Sequence, residues 1–135
     1  MKKRKEGKTP KIKKMPKNVK RSPLWDVFSE YIRRRDKGRC FTCPKVQEWN
    51  SGTYDAGHFQ HAKLNTYFLE TNVHGQCRKC NTFLHGNQGF YRKNMVDKYG
   101  EQKVLLLEKY EKPRPMTSIE YFFLLAEYKK KLSEL

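Results

Sequence analysis

The sequence predicts a small α+β domain in which helices and short β structure surround a cysteine cluster. Four cysteines form two Cys-x-x-Cys pairs, Cys40 with Cys43 and Cys77 with Cys80. Apolar residues at helical spacing precede the first pair, and further helical segments follow the second. Residues 54–59 lie between the pairs and are interpreted as a strand or strand end. Together these observations favour one compact unit with a single core.

The charge of the chain is concentrated near its N-terminus. The 135 residues carry 30 Lys and Arg against 14 Asp and Glu, a formal net charge of +16. Residues 1–21 hold 11 of the basic residues and one acidic residue, with almost no large apolar side chains. We therefore expect residues 1–21 to be a disordered basic arm and residues 22–135 to be the folded domain.

This basic charge indicates a polyanionic partner, with DNA or RNA ahead of an anionic membrane. Solubility alone is the other explanation of a basic tail. No apolar run approaches the length of a membrane span, and the N-terminus lacks the apolar segment of a secretory signal. We expect a cytoplasmic protein that does not associate with membranes.

The first helix is expected to begin after Ser22, with Pro23 in its first turn, and to end near Gly38. Residues 33–35 are three arginines, which suit the negative end of the helix dipole. The predicted apolar face comprises Leu24, Val27, Phe28, Tyr31 and Ile32.

Residues 60–71 are expected to be a loop, residues 72–80 carry the second cysteine turn, and a helix starts just after it. Two further helices are predicted over Tyr91–Tyr99 and Glu101–Tyr110. A capping box at 117–120 starts a last helix that runs to about residue 132. That helix is expected to pack on the domain through Ile119, Phe122, Phe123 and Ala126. The other aromatic residues expected in the core, rather than as platforms for stacking bases, are Trp25, Trp49, Phe28, Phe41 and Tyr54.

The two cysteine pairs are predicted to bind one zinc ion. Each pair can form a tight turn whose two sulfurs point at the same ion. Four thiolates fill the tetrahedral preference of Zn²⁺ and leave no position for water or substrate, so the ion would be structural. It would supply stability that a small hydrophobic core lacks. The alternative is a pair of redox dithiols, which would more often accompany a thioredoxin-like pattern that this sequence lacks.

The polar residues around the cysteines have the composition of a hydrolytic metal site. Asp55, Asn81 and Asn87 offer oxygen atoms, which hard divalent cations prefer. His58 offers a base whose ordinary pKa is about 6.5. Because Asn81 directly follows Cys80, a bound zinc would fix the position of this asparagine.

These residues resemble the NinG (Rap) recombination nucleases of lambdoid phages, within the wider HNH or ββα-metal nucleases. The matching stretches are Asp55-Ala56-Gly57-His58, Asn72-Val73-His74-Gly75-Gln76-Cys77, Cys80-Asn81, Gly86-Asn87 and Tyr91, with Phe28, Ile32, Arg33 and Arg35-Asp36 before them and Tyr99-Gly100-Glu101 after them. The resemblance covers roughly residues 24–132 and implies a β-hairpin and a helix that hold one catalytic cation. The implied activity is metal-dependent cleavage of branched DNA, such as Holliday junctions and D-loops, during phage recombination.

The resemblance implies a role for each matching polar residue. His58 falls at the position of the general base, and Asn72 either orients that histidine or braces the loop. Asn81 matches the asparagine that binds the catalytic metal in endonuclease VII-like enzymes, although it could equally cap a helix. Many HNH proteins carry Asp or His directly before the base, where this chain has Gly57. Asp55 is expected to supply the missing oxygen from two residues earlier.

Three further histidines are less defined. His85 lies near the last histidine of the HNH pattern, yet the residue that the NinG pattern retains there is Asn87. His61 and His74 could contact phosphate or metal, and an ordinary loop or surface role explains them equally well.

We therefore expect a structure-selective DNA endonuclease that depends on Mg²⁺ or Mn²⁺ and leaves a 5′ phosphate. The residues expected to contact the DNA backbone are Arg33, Arg34, Arg35, Arg78, Lys79, Arg92 and Lys93. Paired cuts across a junction need two active sites, which favours a homodimer. Phage recombination proteins are further expected partners, and the cytoplasm of a bacterial host is the expected location.

Two other functions fit part of the sequence. A non-catalytic zinc-containing DNA-binding accessory protein of recombination would share the cysteines and the charge, but it has no particular use for His58. A general RNA-binding protein fits the charge but does not explain the polar residues around the cysteines.

Overall fold

The computed structural model describes residues 13–61, 64–109 and 114–135. Within these residues the chain forms a small α+β fold with helices on both faces of a two-stranded antiparallel sheet. The strands are β1 (Tyr54–His58) and β2 (Val73–Cys77). The strand predicted over 54–59 is confirmed as β1. The second strand was expected only through the family resemblance, because residues 72–80 read simply as a cysteine turn.

The register of the sheet decides which side chains share a face. Tyr54 lies opposite Cys77, and His58 lies opposite Val73. Because side chains alternate along a strand, even-numbered residues of β1 and odd-numbered residues of β2 face one side. We call this side the α1 face. The odd-numbered residues of β1 and the even-numbered residues of β2 form the opposite side, the α3 face.

Helices α1 (Pro23–Arg35) and α5 (Ser118–Ser133) pack together over the α1 face. The predicted start of α1 is confirmed, and its last helical residue precedes Gly38 by three positions. The core on this side is built from Leu24, Phe28, Ile32, Ala56, Phe68, Val73, Tyr121 and Tyr128. Burial of these apolar side chains is the main force that holds α1 and α5 on the sheet.

The packing face expected for α5 is wrong. Ile119 and Phe123 are exposed, at 82% and 69% of their surface, and Ala126 is exposed as well. Tyr121 and Tyr128 are buried instead, and the Phe28 ring meets the Tyr128 ring edge-on at 4.8 Å. Of the four expected packing residues, only Phe122 lies partly buried against this core.

The two predicted helix caps have different outcomes. At the start of α5 the Glu120 amide donates to Thr117 Oγ1 at 3.2 Å, which confirms the capping interaction. Ser22 precedes α1 as expected, but its hydroxyl donates to the Val19 carbonyl at 2.6 Å and makes no cap hydrogen bond.

On the α3 face lie a π-helical turn (Lys79–Phe83), α3 (Gln88–Tyr99) and α4 (Glu101–Glu108). The predicted helices are confirmed here, with α3 beginning three residues earlier than expected. Residue 110, the expected end of α4, lies outside the described residues. The core on this side comprises Phe59, Tyr91, Met95, Val104 and Leu107. In the described part of the chain, no helix combines the length and apolar character needed to cross a bilayer.

Part of the expected basic arm is ordered against the domain. Val19–Arg21 form a 3-10 turn, Val19 is buried, and Met15 packs against the core on the α1 face. The boundary expected after residue 21 therefore comes too late. Two apolar side chains among the lysines dock this segment. Residues 1–12 lie outside the described residues.

The connection between the strands contains short helical turns where a loop was expected. They are α2 (Leu64–Tyr67) and a 3-10 turn (Glu70–Asn72). These turns return the chain to β2 and bring the Tyr67 carbonyl to the end of β1.

Candidate functional site

The four cysteine sulfurs form a cluster, as the spacing predicts. Cys40 and Cys43 lie in a turn beside β2, Cys77 ends β2, and Cys80 lies in the π-helical turn. All four sulfurs lie within 4.8 Å of one another, and Cys43 Sγ is 3.7 Å from Cys77 Sγ. A zinc–sulfur distance of about 2.3 Å places the sulfurs of a tetrahedral site about 3.8 Å apart, so the cluster could hold zinc.

The surroundings of the cluster act differently on its sulfurs, because burial raises the pKa of Cys43 to about 12 and also raises that of Cys77. Burial raises the pKa of Cys40, but hydrogen bonds from the backbone of Cys77 and from Thr42 outweigh it and bring that pKa to about 7. Asn87 Nδ2 lies 3.7 Å from Cys80 Sγ and Thr42 Oγ1 lies 3.6 Å from Cys40 Sγ, so polar groups surround the sulfurs. Such contacts orient the ligands of a metal and stabilise their charge.

A polar pocket opens at the free edge of β1. This edge pocket is an open cavity of about 490 Å³ whose lining includes Trp25, Arg33, Asp55, Arg78, Asn81 and Thr82. Asp55 accepts hydrogen bonds from Arg78 Nη2 at 3.0 Å and from Asn81 Nδ2 at 3.3 Å. The structure therefore brings together Asp55 and Asn81, two of the three expected cation ligands.

A second amide lies next to this pair. Gln76 is opposite Asp55 in the register and is fully buried on the α3 face. Its Oε1 is buried and has no hydrogen-bond partner among the described residues. A β-carbon on residue 57 would overlap this oxygen and would lie 2.9 Å from Asn81 Oδ1. Gly57 thus leaves room for two amide oxygens beside Asp55.

Asn87 does not join this group. It lies at the start of α3 with a left-handed backbone (φ 50°), and its Nδ2 donates to the Thr42 carbonyl at 3.3 Å as well as approaching Cys80 Sγ. The structure therefore corrects the expected ligand set, because the amide of Asn87 is directed at the cysteine turns. His85 is exposed and also has a left-handed backbone (φ 49°).

His58 lies at the end of β1, on the face opposite to Asp55. Its ring is 7% exposed and stacks on Trp25, with ring centroids 5.1 Å apart, and on Tyr67 at 4.0 Å. Burial lowers the pKa of His58 to about 4, well below the expected 6.5, because the charged ring would lose its hydration. Trp25 lines the edge pocket and contacts the imidazole, so this indole is the side chain that links His58 to the pocket.

The hydrogen bond of His58 fixes its tautomer. His58 Nε2 lies 3.0 Å from the Tyr67 carbonyl, which can only accept, so a neutral ring carries its proton on Nε2. Nδ1 then holds a lone pair, and it has no hydrogen-bond partner among the described residues. This is the protonation state that a general base requires.

Asn72 braces the connection that supplies this carbonyl. Its side chain is fully buried, accepts from the Gln60 amide at 2.9 Å, and donates to the carbonyls of Gln60 and Thr66 at 3.0 and 2.9 Å. Of the two roles that the resemblance implies for Asn72, the structure shows the bracing contacts. They act on His58 only indirectly, through the position of Tyr67.

His74 has no accessible nitrogen. Tyr91 donates its hydroxyl proton to the Gly57 carbonyl at 2.7 Å, so His74 Nδ1, at 3.1 Å, must be the donor to Tyr91. Nε2 then accepts from the Tyr99 hydroxyl at 2.8 Å. Burial lowers the pKa of His74 to about 3, and the charge of Arg35 contributes. Of the two open roles, a contact to phosphate or metal is excluded for this buried ring in the described structure.

The seven basic residues expected at the DNA interface differ in availability. Arg35 is committed within the fold, because it binds Asp36 through two hydrogen bonds and donates to the carbonyls of Glu70 and Val73. Arg92 pairs with Glu101 and Glu108. Carboxylates of the fold thus hold both guanidinium groups, and their expected contacts with DNA stay predictions.

The remaining five lie at the surface. Arg33 and Arg34 place their guanidinium groups 5.6 and 4.9 Å from the ring of Trp49, and Arg33 also lines the edge pocket. Trp49, which was expected in the core, is therefore only half-buried and lies under these two arginines. Arg78 lines the edge pocket through its pair with Asp55. The other two, Lys79 and Lys93, are exposed.

Comparison with known proteins identifies the family of this chain. A family model described as Bacteriophage Lambda NinG protein matches residues 1–135. The chain belongs to the NinG family. It is 31% identical over 112 residues to protein ninG of Escherichia phage lambda, covering 81% of this chain and 53% of the relative. Protein ninG of Salmonella phage P22 is 32% identical over 112 residues, with 81% and 54% covered.

A third relative, protein ninG of Escherichia phage 933W, is 30% identical over the same length. The chain spans about half the length of these curated relatives. No solved structure gives a significant match to it. The NinG assignment that the resemblance implied is thereby confirmed at the level of the family.

Two features of this NinG-family chain escaped the sequence analysis. The first is Gln76, because only the register shows that it lies opposite Asp55. The second is a basic pocket, an open cavity of about 490 Å³ with Lys37, Arg39 and Lys98 at its rim and Phe41 in its lining. In the described residues no ion pair joins these three cations to a carboxylate. These three cations do not form one run of charges in the sequence, so the sequence alone does not indicate the pocket.

Proposed function

We propose that this NinG-family chain is a metal-dependent endonuclease of branched DNA, built on an HNH-like ββα-metal core with a structural zinc. One observation carries the proposal: the carboxylate of Asp55 and the carboxamide of Asn81 meet at 3.3 Å in the edge pocket, beside the cysteine cluster. Oxygen ligands of these two kinds suit Mg²⁺ or Mn²⁺, which accept one or two carboxylates and keep several waters.

The zinc is assigned a scaffolding role. Four thiolates would close its coordination, so it has no position left for chemistry. Cys77 ends the strand that carries Gln76, and Cys80 directly precedes Asn81. The ion therefore fixes the strand and the turn that present oxygen atoms to the edge pocket.

A cation held by Asp55 and Asn81 would offset the negative charge that builds on the phosphate during hydrolysis. Close to Asn81, the buried Oε1 of Gln76 is an acceptor that no described donor satisfies. This unsatisfied acceptor is the observation that fits a divalent cation.

His58 is the proposed general base. Its neutral ring takes a proton from water at Nδ1, while Nε2–H remains bonded to the Tyr67 carbonyl. The water oxygen forms a bond to phosphorus, and the bond from phosphorus to the 3′ oxygen breaks with its electron pair staying on that oxygen. Solvent water protonates the departing oxygen, so the products are a 5′ phosphate and a 3′ hydroxyl. Because His58 lies behind Trp25, this step requires the indole to give access to Nδ1.

The DNA backbone is bound by the cations around the edge pocket. Arg33 and Arg78 lie in its lining, Lys79 directly follows Arg78, and Lys93 is exposed on α3. These contacts provide affinity without sequence preference, so the choice of branched DNA follows from its shape and bendability. A homodimer would supply the two sites that paired cuts need.

A non-catalytic DNA-binding accessory protein is the second candidate. The observation that favours it is the placement of His58 and Asp55 on opposite faces of β1. A binding module needs the cysteine cluster and the surface cations, but it needs neither a neutral histidine nor a cation pocket.

Cleavage of a labelled four-way junction in Mg²⁺, together with binding in Ca²⁺, separates the two candidates. Loss of the base in His58→Ala is expected to reduce cleavage by about 10²–10⁴-fold with junction affinity retained. Asp55→Asn is expected to behave in the same way. The matched control is His85→Asn, which replaces an exposed histidine by a residue that tolerates its left-handed backbone. Wild-type cleavage by His58→Ala would refute the assigned base, and absence of cleavage by the wild-type chain would favour the accessory protein.

A further inference from the structure

We infer that Gln76 supplies a third protein oxygen to the divalent cation held by Asp55 and Asn81. This inference rests on the proposed nuclease function and names the residue that completes its cation site. Gln76 is opposite Asp55 across the sheet, so both side chains emerge on the α3 face next to Asn81. It takes the place of Asn87, which is directed at the cysteine turns.

The orientation of the Gln76 amide is determined by its neighbours. Nε2 lies 3.0 Å from the Gly86 carbonyl and 3.0 Å from Thr42 Oγ1. Exchange of the nitrogen and oxygen would bring Oε1 against the carbonyl of Gly86, and two acceptors at that distance repel. Oε1 must therefore be the atom that points toward residue 57.

The orientation of Asn81 follows from the same reasoning. Its Nδ2 donates to the carboxylate of Asp55, which can only accept when ionised. Oδ1 is consequently the free end of the amide, and it lies 2.9 Å from the point that a β-carbon on residue 57 would occupy. Both amides thus direct oxygen atoms to the space beside Gly57.

An unpartnered acceptor in this position has a cost. A buried carbonyl oxygen without a donor loses the hydrogen bonds that water would give it, and nothing in the protein replaces them. Gln76 is fully buried, and no described donor reaches its Oε1. A cation that binds Oε1, Asn81 Oδ1 and Asp55 would satisfy all three oxygens at once. A side chain on residue 57 would overlap Oε1, so Gly57 is what allows this oxygen to lie close to Asn81.

The first test uses the unmodified, zinc-loaded chain. Mg²⁺ is titrated while the ¹³C signals of the side-chain carboxamides are followed by NMR. The signals of Gln76 Cδ and Asn81 Cγ are expected to shift together with one binding constant, while Asn87 Cγ does not move. A shift of the Asn81 signal without a shift of the Gln76 signal would overturn the inference. This test requires no variant.

The second test measures Mn²⁺ affinity by electron paramagnetic resonance. Gln76→Met removes the oxygen, and Gly57→Ala keeps every functional group but fills the space beside it. Each is expected to weaken Mn²⁺ binding on the order of tenfold or more, as loss of a supporting ligand contact does. The matched control Gln102→Met makes the same substitution at an exposed glutamine of α4 and is expected to keep wild-type affinity. Retention of one zinc per chain verifies that each variant is folded.

The results distinguish the inference from the proposed function. Mn²⁺ binding lost in Asp55→Asn but intact in a zinc-loaded Gln76→Met would overturn the inference alone. No Mn²⁺ binding by the wild-type chain would overturn both. Mn²⁺ binding that depends on Gln76 and Asp55, in a chain that cleaves no branched DNA, would support the site and remove the nuclease.

Discussion

The two buried histidines lie on opposite faces of the sheet and differ in the hydrogen bonds of their rings. His74 on the α3 face has both ring nitrogens hydrogen-bonded, to Tyr91 and Tyr99. His58 on the α1 face has Nε2 bonded to a backbone carbonyl and leaves Nδ1 without a partner among the described residues. Burial lowers the pKa of both rings, to about 3 for His74 and about 4 for His58.

This difference distinguishes a structural histidine from one that is available for chemistry. A fully satisfied ring increases the stability of the fold through its hydrogen bonds. A ring with one free nitrogen gives up part of that stability and keeps a lone pair that can accept a proton. Burial does not distinguish the two histidines, because both rings are buried. Only their hydrogen-bond partners show that they differ in role.

Removal of zinc should abolish the difference between the two histidines. Structural zinc contributes on the order of 10 kcal/mol or more to folding in small zinc domains, so a strong chelator is expected to unfold this chain. Both histidines should then titrate near the ordinary pKa of about 6.5 in ¹H NMR. Readdition of Zn²⁺ should restore the low values. Native histidine shifts in the chelated chain would show that the cysteine cluster is dispensable for the fold.

Replacement of each histidine by phenylalanine should sharpen the comparison. His74→Phe leaves the Tyr91 and Tyr99 hydroxyls without their partner and is expected to lower the free energy of unfolding by about 2–4 kcal/mol. His58→Phe removes one hydrogen bond to a carbonyl and is expected to cost about 1 kcal/mol. Urea denaturation with saturating zinc provides the measurement. Equal losses in the two variants would contradict the assignment of separate roles.

Acid should destabilise the chain through both rings. Each histidine has a lower pKa in the folded chain than in the unfolded chain, so the unfolded state binds more protons below pH 6.5. Its contribution to stability is complete above about pH 6.5 and is lost as the pH falls toward the folded pKa.

For His58 the loss between pH 7 and pH 5 is expected to be about 2 kcal/mol. His58→Gln should show a pH dependence smaller by that amount in urea titrations with saturating zinc. The thiolates are unchanged in this variant, so their own response to acid cancels in the difference. An unchanged pH dependence would mean that His58 does not have a lowered pKa.

Neutralisation of the basic pocket is expected to have the smallest effect of these changes. Neutralisation of the basic pocket in the triple variant Lys37→Gln, Arg39→Gln, Lys98→Gln should reduce the salt dependence of junction binding. A loss of three phosphate contacts lowers the slope of log K against log salt by about 2–3. The matched control removes the same charge at three exposed lysines, Lys103, Lys129 and Lys130. An equal change in the control would assign the effect to net charge alone.

The sequence was sufficient for the parts of the structure that depend on local pattern. The cysteine spacing predicted the cluster, and apolar periodicity with capping residues predicted α1, α3, α4 and α5. The adjacency of Cys80 and Asn81 correctly indicated that this asparagine lies beside the cluster. Asn81 and Asp55, which were expected to share a cation, lie next to each other in the structure, and their cation stays a prediction.

Features that depend on tertiary partners were not predictable in this way. Nearly every residue from Ile119 to Ala126 is apolar, so the periodicity of α5 has no single face, and the contact with α1 selects Tyr121 and Tyr128. Arg35 was expected at the surface, but besides its neighbour Asp36 it binds the carbonyls of Glu70 and Val73, which are distant in sequence. The carboxylate partners of Arg92, Glu101 and Glu108, also lie well apart from it in the sequence. Gln76 carries no motif of its own, and its significance depends on the register and on the missing side chain of Gly57.

With zinc bound at the cysteines, the single peptide link between Cys80 and Asn81 would make the proposed cation site in the edge pocket depend on the oxidation state of those cysteines. A thiolate that oxidises to a disulfide or a sulfenic acid no longer holds zinc, and the turn that presents the asparagine is released with it. Asp55 would then keep its place on β1 but lose its amide neighbour. An oxidant should therefore disable cation binding at the pocket without touching any of its oxygen ligands, and a reductant with added zinc should restore it.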